Sequence, residues 1–523
     1  MARRLRATLR THWLLALALT AGLVMRVLVD VAYWPSLLFF GDSYAYLRAA
    51  QRLHPQAAHP IGYPALLRLL SITGSIAVVP IVQHLLGLGL GVVIYLLMLR
   101  LGVRRSLAAA AAMPVLLGGF QLDIEQFVLA ETLTDVLLLA GLALLLWRWR
   151  LGAGGAALVG ALLAGAALTR TAALAVVVVV GLYLLTRRSW RATGGYALAV
   201  LITVGAYASW DAAVNGGSPS SGMSGYFLYG RVAPFATCDY PLQPRLRQLC
   251  PPLPVSVRSR NPELYVWEPG SPLAAPDLGS LGQRDGLAMS FSERVILHQP
   301  LAYLEAAAAD TWHYFTPGRW MSPRTDSIDV QRWQFPGPGL QPERDQLHVF
   351  LGNAGFGGRP VTPQPDFALT GFLRAYQSVL YLPGPALLTA LLGAAAVGAG
   401  LTGIGIARRR GRPASRSAAR WAALVLAASG VVLVAIPSLV TGFSYRYGLP
   451  LLVLLPPAGL IAADIGADAL VGEGRPLPRG AGDDRDSPAA GDQERAPDLG
   501  PLDRRSTAAS DYALRADGRP SEG

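Results

Sequence analysis

Six ionisable residues stand out by position: Asp42, Asp123, Glu125, Glu131, Arg170 and Arg446 each fall at the edge of an apolar block. Charged groups at membrane depth are costly and usually line a cavity, so the simplest arrangement brings all six to one outward-facing cavity. Asp42, in Phe39-Phe40-Gly41-Asp42-Ser43-Tyr44, has the chemistry of a general base, a carboxylate beside an apolar interface that takes a hydroxyl proton. It also has the chemistry of an N-cap for a helix starting at Ser43. Glu131 opens an apolar block and suits either catalysis or the positive end of a helix dipole, with Asp135 one turn deeper on the same face as a polar cavity wall. Arg170, in Leu168-Thr169-Arg170-Thr171, interrupts two apolar stretches and needs a partner: a phosphate that fits its planar fork of donors, or a carboxylate such as Glu131 or Asp42. Arg446 lies similarly between Tyr445 and Tyr447, and two arginines match a phosphate or diphosphate leaving group. His54 and His59 are too loosely spaced for a metal site. His59-Pro60-Ile61-Gly62-Tyr63-Pro64 reads as a turn into an interfacial helix or as a substrate contact.

Long apolar segments must position these residues. The chain has 523 residues, is 52% hydrophobic and only 15% charged, and the apolar residues lie in blocks instead of being dispersed as in a soluble core. A helix needs roughly 20 mostly apolar residues to cross the hydrocarbon layer. Blocks at Trp13–Val29, Ile76–Leu99, Ser106–Gly119, Glu131–Trp147, Ala156–Thr169, Ala172–Leu185, Tyr196–Trp210, Pro385–Ile406, Trp421–Val440 and Gly448–Ala463 predict about ten transmembrane helices. The expected fold is therefore an all-α polytopic membrane protein. Its organisation is an N-terminal transmembrane module over 1–210 with a first outer loop at 30–75, an extracytoplasmic loop domain over 211–370, a C-terminal transmembrane module over 371–463 and a disordered cytoplasmic tail over 464–523. Within the loop domain, Ser290 to Phe315 has helical character and Pro251 to Gly282 reads as irregular.

The net charge of +12 raises nucleic acid as a partner, but the arginines gather in short clusters between apolar blocks and lysine is absent. Arg100, Arg104 and Arg105, then Arg148 and Arg150, then Arg187, Arg188 and Arg191, then Arg408 to Arg420 fall in alternate loops, which makes those loops cytoplasmic along with both termini. The loops bearing Asp42, Glu125 and Arg446 then lie outside. The arginines before Trp13 also fit a signal peptide, but no small-residue cleavage site follows, and the segment reads as a retained first span. Cys238 and Cys250, both in the outer loop domain, are expected to form a disulfide, against two free thiols. No Gly-rich phosphate loop on a strand–helix turn occurs, so no nucleotide site is expected.

In order along the chain, an outer-loop aspartate after the first span (Asp42), Gly62-Tyr63-Pro64, Glu131-Thr132-Leu133 opening the fourth span, Leu168-Thr169-Arg170 between the fifth and sixth, and Arg446-Tyr447 followed by Pro450 resemble the GT-C superfamily of membrane glycosyltransferases. The resemblance runs from Trp13 to Ala463 and is nearest to the protein mannosyltransferase and aminoarabinose transferase group. It implies transfer of a sugar from a polyprenyl-phosphate donor to a glycan, lipid or protein acceptor at the outer face of a bacterial plasma membrane. It also implies Asp42 as the acceptor-activating base, Arg170 and Arg446 on the donor phosphate, and Glu131, His59, Tyr445 and Tyr447 near the substrate. Those relatives often carry an acidic pair in the first loop, whereas Ser43 follows Asp42 here, which leaves a divalent cation open as a cofactor.

A transporter or flippase for a lipid-linked or polar substrate is the alternative from another class. It calls for ionisable residues near mid-membrane and two related halves. Ionisable residues within the blocks are few, and no duplicated half is visible.

Overall fold

The computed structural model describes residues 10–39, 41–56, 58–148, 151–214, 223–316, 334–337, 355–356, 367–380, 384–408 and 414–471. These residues are helical, and the only strand-like pairing among them is an isolated parallel bridge between Leu37 and Phe127. The first half comprises α1 (Trp13–Ala32), α2 (Asp42–Arg52), α3 (Gly62–Leu70), α4 (Val78–Arg100), α5 (Arg105–Leu117), α6 (Gly119–Gln126), α7 (Glu131–Trp147), α8 (Ala153–Thr169), α9 (Leu174–Thr186) and α10 (Trp190–Val214). Then follow α11 (Ser224–Val232), α12 (Leu281–His298), α13 (Pro300–His313), α14 (Phe367–Val379), α15 (Pro385–Arg408), α16 (Ala414–Val440) and α17 (Leu449–Val471).

Every expected apolar block is a helix, but their lengths differ. Among the described residues, five helices are long and apolar enough to cross a membrane: Trp13–Ala32, Val78–Arg100, Trp190–Val214, Ser417–Val440 and Tyr445–Ala467. The pair α5 and α6, bent by 43° at Gly118, makes a sixth when taken as one span. Glu131–Trp147, Ala153–Thr169 and Thr171–Thr186 are shorter, and between the last two the chain breaks at Arg170, where an extended residue separates α8 from a 3₁₀ turn over Thr171–Ala173. Large apolar side chains such as Leu17, Val31, Leu85, Leu158, Val178, Leu182, Leu198 and Leu201 stand exposed on the outer faces of these helices. Charged groups including Arg26, Glu125 and Glu131 are buried. This inverts the water-soluble pattern and is consistent with a helical protein embedded in a membrane.

The main core joins α4, α5, α7, α8, α9, α15, α16 and α17 through small and branched residues such as Ala108, Ala112, Val159, Leu426 and Leu454. A second apolar core sits at the end of the bundle where α1 finishes and α7 begins, built from Val29, Leu47, Tyr63, Phe120, Val128 and Tyr445. The opposite end carries Arg100, Arg104, Trp147 and Arg187.

Residues 223–316 form a module with a core of their own around Tyr229, Leu249, Phe291 and Val295. Cys238 and Cys250 are joined in a disulfide. The stretch expected to be irregular, Pro251 to Gly282, instead holds the short helix Pro262–Trp267 and three 3₁₀ turns, and all but the turn Val255–Val257 carry Pro at a first-turn position that favours helix entry. The stretch expected to be helical breaks into α12 and α13 at Pro300, and a Ser280–Gln283 capping box starts α12. The segment 30–75 holds two α-helices, α2 and α3. The last helix runs beyond the expected boundary at Ala463 to Val471, and just past that boundary the buried Asp464 carboxylate is paired with Arg104 at 3.1 Å. The rest of the expected disordered tail lies outside the described residues.

Candidate active site

The site is assembled from chain breaks. Gly41, at φ +77°, turns the backbone into α2 from a conformation that a side chain would strain, and Asp42 is then the first helical residue. The cap reading does not hold: no side chain caps α2, and the Asp42 carboxylate instead pairs through Oδ2 with Arg446 and through Oδ1 with His59 Nε2 at 3.5 Å. Its place at a helix N-terminus still favours negative charge. Glu131 holds the same position in α7, and its Oε1 meets Arg170 and, at 3.5 Å, Arg446 Nη1.

Aromatic rings wall the two guanidiniums. Arg446 lies over Phe39 at 4.5 Å and over Tyr447 at 5.7 Å, and Arg170 lies over Tyr447 at 4.8 Å. Tyr445, expected beside them, packs its ring against Phe120 within the apolar core, because neighbouring residues of a 3₁₀ turn point in different directions. Burial pushes the Asp42 carboxyl up, but Arg446, His59 and Arg170 outweigh it and hold the group below the usual carboxylate range. Burial pushes the neighbouring His59 imidazole down; Asp42 opposes this, and the two arginines add to it.

A small cavity of ≈ 20 Å³, room for about one water, adjoins the cluster and is lined by Glu131, Thr134, Asp135, Arg170, Arg446 and Tyr447 with Pro437 and Pro450. Both oxygens of buried Asp135, Oε2 of Glu131 and Nε of Arg446 have no hydrogen-bond partner there. The arrangement thus combines two arginines with a spare donor, an ionised carboxylate and unmet acceptors. It can bind an anion and accept a proton. Among the described residues no group of three or more His, Cys, Asp or Glu could hold a metal ion.

Most of the residues that fix this geometry carry no charge, and sequence reasoning gave Gln83, Asp310, Arg231 and Tyr314 no role. Leu37 N donates to Gln126 O and Val128 N donates to Leu37 O, both at 3.0 Å, which ties the loop before Asp42 to the turn before Glu131. Buried Ser43 reinforces the tie, its hydroxyl donating to Val128 O at 2.8 Å and accepting from Phe39 N at 2.7 Å. Gln83 donates to the carbonyls of Glu125 and Phe127 at 2.7 Å each and accepts from the Tyr63 hydroxyl at 2.9 Å. Gly62 packs so close to α8 that a β-carbon there would lie 2.6 Å from Leu168 O, two residues from Arg170. Before Arg446, Asp310 accepts from Phe443 N at 3.2 Å and from Arg231 at 2.5 Å, and the Tyr314 hydroxyl donates to Ser444 O at 2.9 Å.

The six ionisable residues do not share one cavity. Asp42, Glu131, Arg170 and Arg446 converge with His59, but Glu125 forms a bidentate pair with Arg26 at 2.9 and 3.0 Å, and His84 Nδ1 lies 2.8 Å from the same carboxylate. Asp123 is buried at 3.4 Å from Gln377. The reason is local: α6 is bent away from α5, which turns its carboxylates toward α1, α4 and α14. Arg26, an arginine interrupting an apolar run like Arg170, carried the signal that could have revealed this second cluster. No family model, curated protein or solved structure matches the chain.

Proposed function

We propose that the chain is a multi-pass glycosyltransferase of GT-C-like architecture, moving a sugar from a polyprenyl-phosphate donor to a glycan, lipid or protein acceptor at the outer face of a bacterial plasma membrane. In this reading all ten apolar helices contribute to the membrane domain, and both termini are cytoplasmic. The observation that supports it is the convergence of Arg170 and Arg446 on Asp42 and Glu131 from four separate elements.

The donor phosphate displaces carboxylate from the guanidiniums, using the spare Arg446 Nε–H, and the arginines stabilise the charge that develops on the departing phosphate. Asp42, losing Arg446, becomes more basic at the moment an acceptor hydroxyl approaches. It takes that proton as the acceptor oxygen bonds to the anomeric carbon and the carbon–phosphate oxygen bond breaks, with inversion. His59 orients Asp42 from the other side. The test is transfer of radiolabelled sugar from a panel of polyprenyl-phosphate sugars in membranes holding the intact chain or the Asp42→Asn, Arg170→Ala and Arg446→Ala variants. Loss of transfer in the variants at equal expression supports the reading. Transfer by no donor, or undiminished transfer by Asp42→Asn, sinks it.

The Arg26–Glu125–His84 cluster favours a second reading, a transporter, since ionisable groups buried along α1 and α4 mark ion pathways in such proteins. Substrate-dependent uptake by proteoliposomes that is lost with Glu125→Gln, together with absent sugar transfer, would select it.

A further inference from the structure

The module formed by residues 223–316 ends in a helix whose outward face is apolar. On α13, Leu301 is 72% exposed, Leu304 55% and Trp312 58%, with exposed Ala308 between them. Their spacing of three, four and four residues puts them on one face. Such a stripe does not stay bare in water.

The height of the helix says what covers it. Its other face packs on α16, where the Tyr303 hydroxyl donates at 3.0 Å to Leu439 O, one residue from the end of the apolar span Ser417–Val440. Its C-terminal end leads through Tyr314 and Phe315 back to the bundle, where the Thr389 hydroxyl on α15 donates to Phe315 O at 2.6 Å. The stripe therefore sits level with the rim of the lipid-exposed helices. A tryptophan beside leucines at that level is the composition that lipid interfaces select. Glu305, also exposed, flanks the stripe on the side of Ala309, where headgroups and water lie.

We propose that α13 is an interfacial helix, with Leu301, Leu304, Ala308 and Trp312 immersed in the lipid leaflet, so that the 223–316 module rests on the bilayer. This gives the module a bearing on the site. Asp310, on the same helix, holds Phe443 N and Arg231, and Tyr314 holds Ser444, so lipid contact fixes the turn that presents Arg446. The inference requires only that the chain spans a membrane and is independent of sugar transfer.

Both native cysteines are in the disulfide, so an introduced cysteine is the one free thiol among the described residues. Leu301→Cys, Leu304→Cys and Trp312→Cys, each nitroxide-labelled in the full chain reconstituted in phosphatidylcholine–phosphatidylglycerol vesicles, report accessibility to oxygen and to a water-soluble nickel chelate. Ser256→Cys, on an exposed turn of the module, is the aqueous reference. Higher oxygen than nickel accessibility at all three stripe positions, with the reverse at Ser256, is the expected result. Nickel accessibility matching Ser256 would place the stripe in water. Protection from both reagents would mean that protein, a second copy of the chain, covers it. Either outcome overturns the proposal.

Discussion

Replacing Arg446 with methionine removes the cation that serves two carboxylates at once. The Arg446 side chain is 10% exposed, Asp42 19% and Glu131 2%, so the pair lies within the protein and not in surface water. Exposed ion pairs contribute about 0–1 kcal/mol. Taking one partner from a buried pair costs about 3–5 kcal/mol, because the other charge stays behind uncompensated. Arg170 and His59 remain as neighbours of the carboxylates, which places the expected cost of Arg446→Met near 3 kcal/mol. The double variant Asp42→Asn, Arg446→Met no longer strands a charge at Asp42 and should recover part of the loss, with a coupling of about 0.5–3 kcal/mol. Reversible unfolding of the full chain in detergent micelles gives all four corners of the cycle. A loss below 1 kcal/mol for Arg446→Met, or strict additivity in the double variant, would refute the argument that this pair is buried and coupled.

Stability should also fall in acid. Asp42 is held below its ordinary range, so its contribution is present above the unfolded value and is lost as pH falls through the folded one. His59 is likewise lowered, so folding takes up fewer protons than the unfolded chain between its two values, and stability falls as pH drops below about 6.5. Below about pH 4, where the Asp42 contribution is lost, unfolding midpoints should drop less steeply for Asp42→Asn than for the native chain. Gly62→Val must push a side chain into Leu168 O and should cost about 1–3 kcal/mol, read by the same unfolding assay. Reducing the Cys238–Cys250 disulfide, 12 residues apart, should destabilise the 223–316 module by about 2–4 kcal/mol, seen as earlier proteolysis between 223 and 316 than elsewhere.

The apolar blocks and the ion-bearing motifs were legible because each rests on a local signal: a run of apolar residues, or a charge interrupting one. Asp42, Glu131, Arg170 and Arg446 were found in this way, and Arg26 carried the same signal. Partnership was not legible. Nothing near Arg170 says that Glu131 meets it from 39 residues away, or that Glu125 turns from the others toward Arg26, because pairing depends on how helices bend and cross. Helix length was obscured for the same reason at Gly118, since hydropathy runs smoothly through the bend there, whereas the break at Arg170 was legible from the charge that interrupts the apolar run.

Those breaks connect the fold to the site. A backbone that leaves the helix at membrane depth exposes N–H and C=O groups that lipid cannot satisfy, so such a break persists only where protein or a cavity meets them. Each break near the site is met in this way. The bend after α5 brings Gln83 onto the carbonyls of Glu125 and Phe127 and Leu37 onto the backbone of Gln126 and Val128. The break at Arg170 is closed by Ala166 and by the Thr134–Thr169 hydroxyl pair at 2.8 Å, and the turn before Arg446 by Asp310 and Tyr314. A set of polar residues spent on holding three broken elements at one end of the bundle is costly for a scaffold alone. It follows that Ser43, Gln83 and Asp310, which touch no reacting group, belong to the working parts of the molecule as much as the charged residues they hold in place.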